Sequence, residues 1–223
     1  MSKVIGIDLG TTFSAIASLD DLGNPEVLSS LEDNRKITAS AIYIDGKNVI
    51  VGDRALSYIK NEPNKVVLQT KREMENDVVY SLDQGKWVDD KDLVDSYTPA
   101  QVSSLILKKL KDYTTDVKQV VITVPAMFAE KARQATLDAA KLADLEVIEL
   151  INEPTAAVLH YASLPGVEIG GRVMIFDLGG GTFDVTFAEV KNKKVDVLTS
   201  RGDKYLGGKD FDKEITKLIK KKY

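Results

Sequence analysis

Cysteine is absent from this sequence of 223 residues, histidine occurs once, and the formal net charge is -4, so there is no basic excess either. Counting alone therefore excludes disulfides, thiolate metal sites and cysteine nucleophiles. His160 stands alone beside Tyr161 in a helix-like stretch, where packing or solvent exposure explains it better than catalysis or metal binding. A nucleic-acid binder would normally carry a basic face or stripe; without one, any phosphate must be held by local geometry. No apolar run approaches the roughly 18 residues needed to span a bilayer. Met1-Ser2-Lys3 leads directly into the strand-like Val4-Ile5-Gly6-Ile7, without the charged region, apolar stretch and cleavage site of a signal peptide. The expectation is a cytoplasmic protein with no membrane and no nucleic-acid partner. The P-loop pattern G-x-x-x-x-G-K-[ST] and the Rossmann pattern G-x-G-x-x-G are both missing, which argues against those two routes to nucleotide binding.

What is present alternates strands with helices. With 43% hydrophobic and 29% charged residues the chain can bury one large core or two modest ones. Residues 3–19 read as a strand, a tight polar turn at Asp8-Leu9-Gly10-Thr11-Thr12, and a returning strand. Residues 20–97 are less regular, with strand candidates at 41–44 and 49–51. Thr98-Pro99 is a cap and first-turn signal, after which Val102, Leu105, Ile106 and Leu110 recur at helical spacing to about Asp112. Residues 119–124 read as a strand, 130–142 as an alanine-rich helix and 147–151 as a strand; a helix opened by Pro154 follows. Three strands are expected over 172–176, 183–190 and 195–200, then a helix from Lys209 onward. Such alternation implies an α/β design with helices packed on sheets.

Two segments repeat each other. Val4-Ile5-Gly6-Ile7-Asp8-Leu9-Gly10 matches Val173-Met174-Ile175-Phe176-Asp177-Leu178-Gly179, and each continues through Thr and Phe into a β-rich strand. One Asp-Leu-Gly is an ordinary hairpin turn; two matching copies favour related lobes, each contributing a hairpin. Glycine-rich tips let backbone N–H groups approach phosphate oxygens, at Gly10, Thr11 and Thr12 and again at Gly179, Gly180, Gly181 and Thr182. Asp8 and Asp177 beside a phosphate make sense only with a cation between, or if one orients a water; magnesium suits because it keeps waters and takes few carboxylates. Glu153, between a strand and a helix, is either a helix N-terminal charge or a site residue. Gly207-Gly208 before a helix is either a simple turn or a further phosphate approach. Lys71, taken alone, reads as a solvated surface lysine.

Ile5-Gly6-Ile7-Asp8-Leu9-Gly10-Thr11-Thr12-Phe13-Ser14 resembles the first phosphate motif of the DnaK-type chaperones of the seventy-kilodalton heat-shock family. Val121 to Ala126, Arg133 to Thr136, Ile151 to Ala157, Phe176 to Val185 and Leu206-Gly207-Gly208 with Asp210-Phe211-Asp212 resemble further motifs in the family's order, covering most of the chain. The resemblance implies an actin-like, ribonuclease-H-like fold in which two lobes close over Mg-ATP and hydrolysis switches a separate peptide-binding domain. It implies phosphate contacts from Gly10, Thr11, Thr12 and Phe13, from Gly179 to Thr182, and from Gly207 and Gly208. Asp8 and Asp177 would hold magnesium through waters. Lys71 matches the catalytic lysine, and Glu153 and Asp177 would help position water or metal. ATP/ADP and Mg2+ are the implied ligands. Unfolded or partly folded client peptides, a J-domain co-chaperone and a nucleotide exchange factor are the implied partners.

The sequence departs from the family pattern in places. Ala129 stands where Asn is usual, Lys204-Tyr205 where Thr-His is usual, and Lys209 where Glu is common. Glu149 occupies an often basic position at which the interdomain linker docks, the segment before Val117 looks shortened, and Glu75 replaces an expected Gly just after Lys71-Arg72-Glu73-Met74. The expected layout is a first lobe over 1–171, with an inserted small subdomain at about 39–112, and a truncated second lobe over 172–223. The family's adenosine-binding residues fall beyond the position matching Tyr223, so the expectation is the phosphate half of a site without the base half, and weak or no nucleotide binding by this chain alone. The competing readings are a stand-alone inactive binding or scaffolding module of the same fold, and a sugar or acetate kinase relative.

Overall fold

In the computed structural model the structure describes residues 3–90, 92–115, 117–191 and 194–222, and these form a mixed α/β chain. Tyr223, the end of the expected last helix, lies outside the described residues, as do Met1 and Ser2. The chain divides into two compact units. One comprises residues up to Ile122 together with Ala129–Leu150; the other comprises Thr123–Phe128 and the chain from Ile151 onward.

The first unit begins with strands β1 (Lys3–Asp8) and β2 (Phe13–Leu19), antiparallel with Ile7 opposite Ile16. Their β-branched residues alternate, and Ile5, Ile7 and Ile16 turn to the core face and are buried. Strands β3 (Pro25–Val27) and β4 (Thr38–Ala39) both pair with β2, β4 through Phe13 opposite Ala39. Next come β5 (Ala41–Asp45) and β6 (Asn48–Val51). Gly46, at a φ of 57°, supplies the left-handed residue that their two-residue turn requires. A single turn of helix, α1 (Asp53–Leu56), precedes β7 (Val66–Leu68), which pairs with β5 to complete the order β6-β5-β7. Strands β8 (Val79–Ser81), β9 (Lys86–Val88) and β10 (Ser96–Tyr97) make another small sheet with β8 in the middle.

Helix α2 (Pro99–Lys111) starts with Pro99 in its first turn. Thr98 Oγ1 accepts from the Gln101 N–H at 3.2 Å, and Gln101 Oε1 accepts from the Thr98 N–H at 2.8 Å. Its Val102, Ile106, Leu107 and Leu110 form one buried face. Strand β11 (Val117–Val124) and helix α3 (Glu130–Leu142) follow, and α3 packs on α2. The buried positions of α3 are Ala132, Thr136, Ala139 and Ala140, small residues that let the two helices approach closely. With β12 (Glu146–Asn152) the main sheet reads β12-β11-β1-β2-β3. Ile5, Ile7 and Ile16 join Val120, Ile122, Val102 and Leu107 in one apolar cluster between this sheet and the helices.

The second unit contains helix α4 (Glu153–Ser163) and an antiparallel meander of β13 (Gly171–Leu178), β14 (Phe183–Lys191) and β15 (Lys194–Asp203). Helix α5 (Gly208–Lys222) follows. Helix α4 packs on β13 and β15, and Ala188 and Val190 of β14 are buried.

Candidate functional site

In the first unit, Asp8 is the last residue of β1, and the four residues Leu9 to Thr12 join it to β2. Three hydroxyl bonds tie this turn. The Gly10 N–H donates to Ser14 Oγ at 3.2 Å, and Ser40 Oγ donates to the Gly10 carbonyl at 2.8 Å. Because the single Ser40 hydrogen is used there, Ser14 is the donor in the 2.9 Å bond between the two hydroxyls. The Ser40 N–H in turn donates to the Thr12 carbonyl at 2.8 Å. A Cβ at Gly10 would overlap the Phe13 carbonyl oxygen, so glycine is required by close approach of the backbone to itself. Thr11 is buried, Phe13 is exposed, and Thr12 Oγ1 is buried with no hydrogen-bond partner among the described residues. A buried orphan hydroxyl is costly and calls for an explanation.

Lys71 lies in a 3-10 turn, Thr70–Glu73. β5 and β7 pair with Ala41 opposite Leu68, so the chain leaves β7 beside Ser40, the residue that ties the Gly10–Thr12 turn. The bend is made at Gln69, a non-glycine residue with φ of 60° and ψ of 25°. Backbone of this kind persists where the surroundings impose it. Thr70 and Lys71 are 3% and 8% exposed, and Thr70 Oγ1 is a second buried hydroxyl without a hydrogen-bond partner among the described residues. A lysine so buried is not the solvated surface residue that its type alone suggests.

In the second unit the matching turn, Gly179 to Thr182, sits against the start of α5. The Gly179 N–H donates to the Thr182 carbonyl at 2.9 Å, closing the tip. The N–H groups of Gly208 and Lys209 donate to the carbonyls of Gly179 and Gly180 at 3.0 and 3.1 Å. A Cβ on Gly207 would lie 2.5 Å from the Gly181 nitrogen. Gly207 and Gly208 therefore buttress the turn, and the Gly208 N–H is already engaged. Asp177 is half-buried in β13, opposite Asp184 in the ladder, and Glu153 is the half-buried first residue of α4. His160 is exposed. Lys204 lies 5.5 Å from the centroid of the Tyr205 ring, and Tyr205 N–H donates to Asp203 Oδ1 at 2.8 Å.

The structure thus brings Asp8, Gly10, Thr11 and Thr12 to one turn with the Lys71 segment nearby, and in the other unit gathers Gly179–Thr182 with Gly207–Gly208. Sequence reasoning missed Ser40 and Thr70, each a single polar residue between short strands with no periodic signal; Ser14 lay within the recognised motif. Among the described residues no three Asp, Glu or His side chains gather to ligate a metal directly. Nor is any described helix long and apolar enough to cross a membrane.

These features define a mixed α/β protein carrying two related, glycine-tipped β-hairpins. A family model described as "Hsp70 protein" matches residues 4–223. The chain is also 42% identical, over 99% of its length, to a protein named "Chaperone protein DnaK" from Mycoplasmopsis agalactiae, of which it spans 36%. The chain belongs to the Hsp70 family.

Proposed function

We propose that this chain supplies the phosphate-gripping part of the nucleotide site of an ATP-hydrolysing chaperone in the cytoplasm. The observation that carries the reading is Thr12 Oγ1, a buried hydroxyl with no partner among the described residues, in a turn held rigid by Ser14 and Ser40. A phosphate oxygen is an acceptor that hydroxyl could serve without rearrangement, since the turn is organised beforehand. The repeat of the motif in a second glycine tip supports the same ligand for Gly179 to Thr182. The lobes in this reading are those of an actin-like, ribonuclease-H-like fold, the first over residues 1–171 and the second from residue 172.

In this reading Lys71 carries a cation towards the terminal phosphate and the attacking water, and Glu153 and Asp177 orient water or metal. Phosphoryl transfer needs positioning and charge neutralisation more than covalent chemistry. Asp8 and Asp177 would hold magnesium through its waters, as suits a hard cation that dehydrates reluctantly and takes few carboxylates. Bound magnesium would neutralise phosphate charge. Clients, a J-domain co-chaperone and an exchange factor belong to the proposal through the family.

The test uses amide chemical shifts of the chain in Mg2+ buffer with inorganic tripolyphosphate, ATP or GTP. All three should bind with similar, roughly millimolar affinity, as expected for phosphate contacts without a base pocket, and should shift amides of Gly10–Thr12 and Gly179–Thr182. Micromolar, adenine-selective binding would show a complete site. Silence at both turns would remove the phosphate reading.

A further inference from the structure

Helix α3 starts without a cap of its own. Its N-cap, Ala129, has the extended backbone of a capping residue (φ −70°, ψ 169°) but no side-chain oxygen to satisfy a helix N–H. The neighbouring α2 solves the same problem locally, with Thr98 and Gln101. In α3 the second of these bonds, the one Gln101 makes to the Thr98 N–H in α2, comes from 54 residues away: the Ala129 N–H donates to Glu75 Oε1 at 3.1 Å. A carboxylate at this end of a helix also meets the positive pole of the helix dipole.

Glu75 lies four residues beyond Lys71, and the stretch between them is anchored on its other side by Met74. That side chain is buried, and its sulfur accepts from Ser103 Oγ of α2 at 3.5 Å. Beyond Glu75 a groove of about 760 Å³ opens between residues 74–79 and the two helices, lined among others by Val78, Pro99, Glu130, Gln134 and Ala135. Polar ties between this stretch and α3 include Glu75 to Ala129 and the 2.9 Å ion pair of Asp77 with Lys131, which is largely solvent-exposed and correspondingly weak.

We infer that Glu75 is a positioning residue for Lys71: by accepting from the Ala129 N–H, the bond that Ala132 at the third helical position has no side chain to supply, it fastens the Lys71 turn to the first turn of α3. This rests on the reading of Lys71 as the residue that reaches phosphate, but its test needs no nucleotide. A cap confined to stabilising α3 would be replaceable by any local cap; a tether would not.

The experiment measures acetylation of the Lys71 amine by a limiting amine-reactive ester, read by peptide mass spectrometry, together with hydrogen exchange of the first turn of α3, in the 223-residue chain. Glu75→Ala should speed Lys71 acetylation roughly fivefold, the population change that loss of one cap allows. Glu75→Gln, whose amide oxygen still accepts, should stay near the parent rate. Adding Ala129→Ser to Glu75→Ala should restore protection of α3 while Lys71 stays fast. Ala129→Pro, which removes the donor N–H at a φ that proline accepts, attacks the bond from the other side and should speed Lys71 as Glu75→Ala does. Unchanged Lys71 acetylation in both Glu75→Ala and Ala129→Pro would overturn the inference, as would its return to the parent rate with the serine cap. If phosphate ligands fail to shift the Gly10–Thr12 turn while these results hold, the functional reading falls and the tether stands.

Discussion

At the scale of the residue, glycines differ in what they exclude. Gly23 has nothing within 4 Å of a Cβ, so its role is conformational, at a φ of 83°. Gly207 is a matter of space: a methyl group there would press on the backbone of Gly180 and Gly181. Backbone cannot swing aside as a flexible side chain can, so Gly207→Ala should cost about 1–3 kcal/mol in denaturant unfolding, as overpacking does. It should also shift the amides of residues 179–182 while leaving those of Gly10–Thr12 in place. If only residues 207–209 respond, the two segments are not coupled. The hairpin turns at Gly10–Thr12 and Gly179–Thr182 were legible in the sequence because their pattern is local and stated twice. Ser40 was not, because it acts on a residue 30 positions away and is an unremarkable polar residue in its own neighbourhood; Glu75 stood out only as a departure from the family pattern, with nothing local to link it to Ala129, 54 positions on.

At the scale of the element, legibility followed length and punctuation. The bounds of α3, Glu130–Leu142, are those expected from its alanine-rich run, and α2 ends one residue short of the expected Asp112, which caps it. The expected strands at 172–176 and 195–200 extend to Gly171–Leu178 and Lys194–Asp203, because pairing with β14 continues past the apolar residues. Strands β4, β7, β8, β9 and β10 are two or three residues long, too short for a period of two to declare itself, and the expected irregular region contains them all. The capping box of α2 gives a direct prediction. Thr98→Ala leaves the Gln101 N–H without its side-chain acceptor and should destabilise the first unit by about 1 kcal/mol. Thr98→Ser should lose much less. Because α2 supplies Val102, Ile106, Leu107 and Leu110 to the core, the loss should appear as a lower midpoint of the whole cooperative transition, and fraying of the first turn alone would contradict it.

At the scale of the whole molecule, apolar burial is unequal between the two units. The two clusters of buried apolar residues, around Ile5, Ile122 and Leu107 and around Ala41, Tyr43 and Val66, consist of residues of the first unit. In the second, Met174, Phe176, Leu178 and Phe187 share one face of the meander by register and are exposed, with Phe176 at 63%; α5 has no buried residue, leaving Phe211, Ile215, Leu218 and Ile219 in solvent. Burial of apolar surface is the main favourable term in folding. Native-state hydrogen exchange of the chain should therefore separate two levels. Amides of β1, β5 and α2 should open only with the full stability of the first unit, while those of β13, β14 and α5 should open at free energies lower by about 2 kcal/mol or more. The Gly179–Thr182 turn, held by the N-terminus of α5, should exchange with the lower group. A ligand gripping that turn would then have to order it first, so tripolyphosphate should raise protection there more than at Gly10–Thr12, where Ser14 and Ser40 already hold the backbone. Equal protection of the two turns without ligand would mean that the second unit draws stability from something other than its own apolar burial.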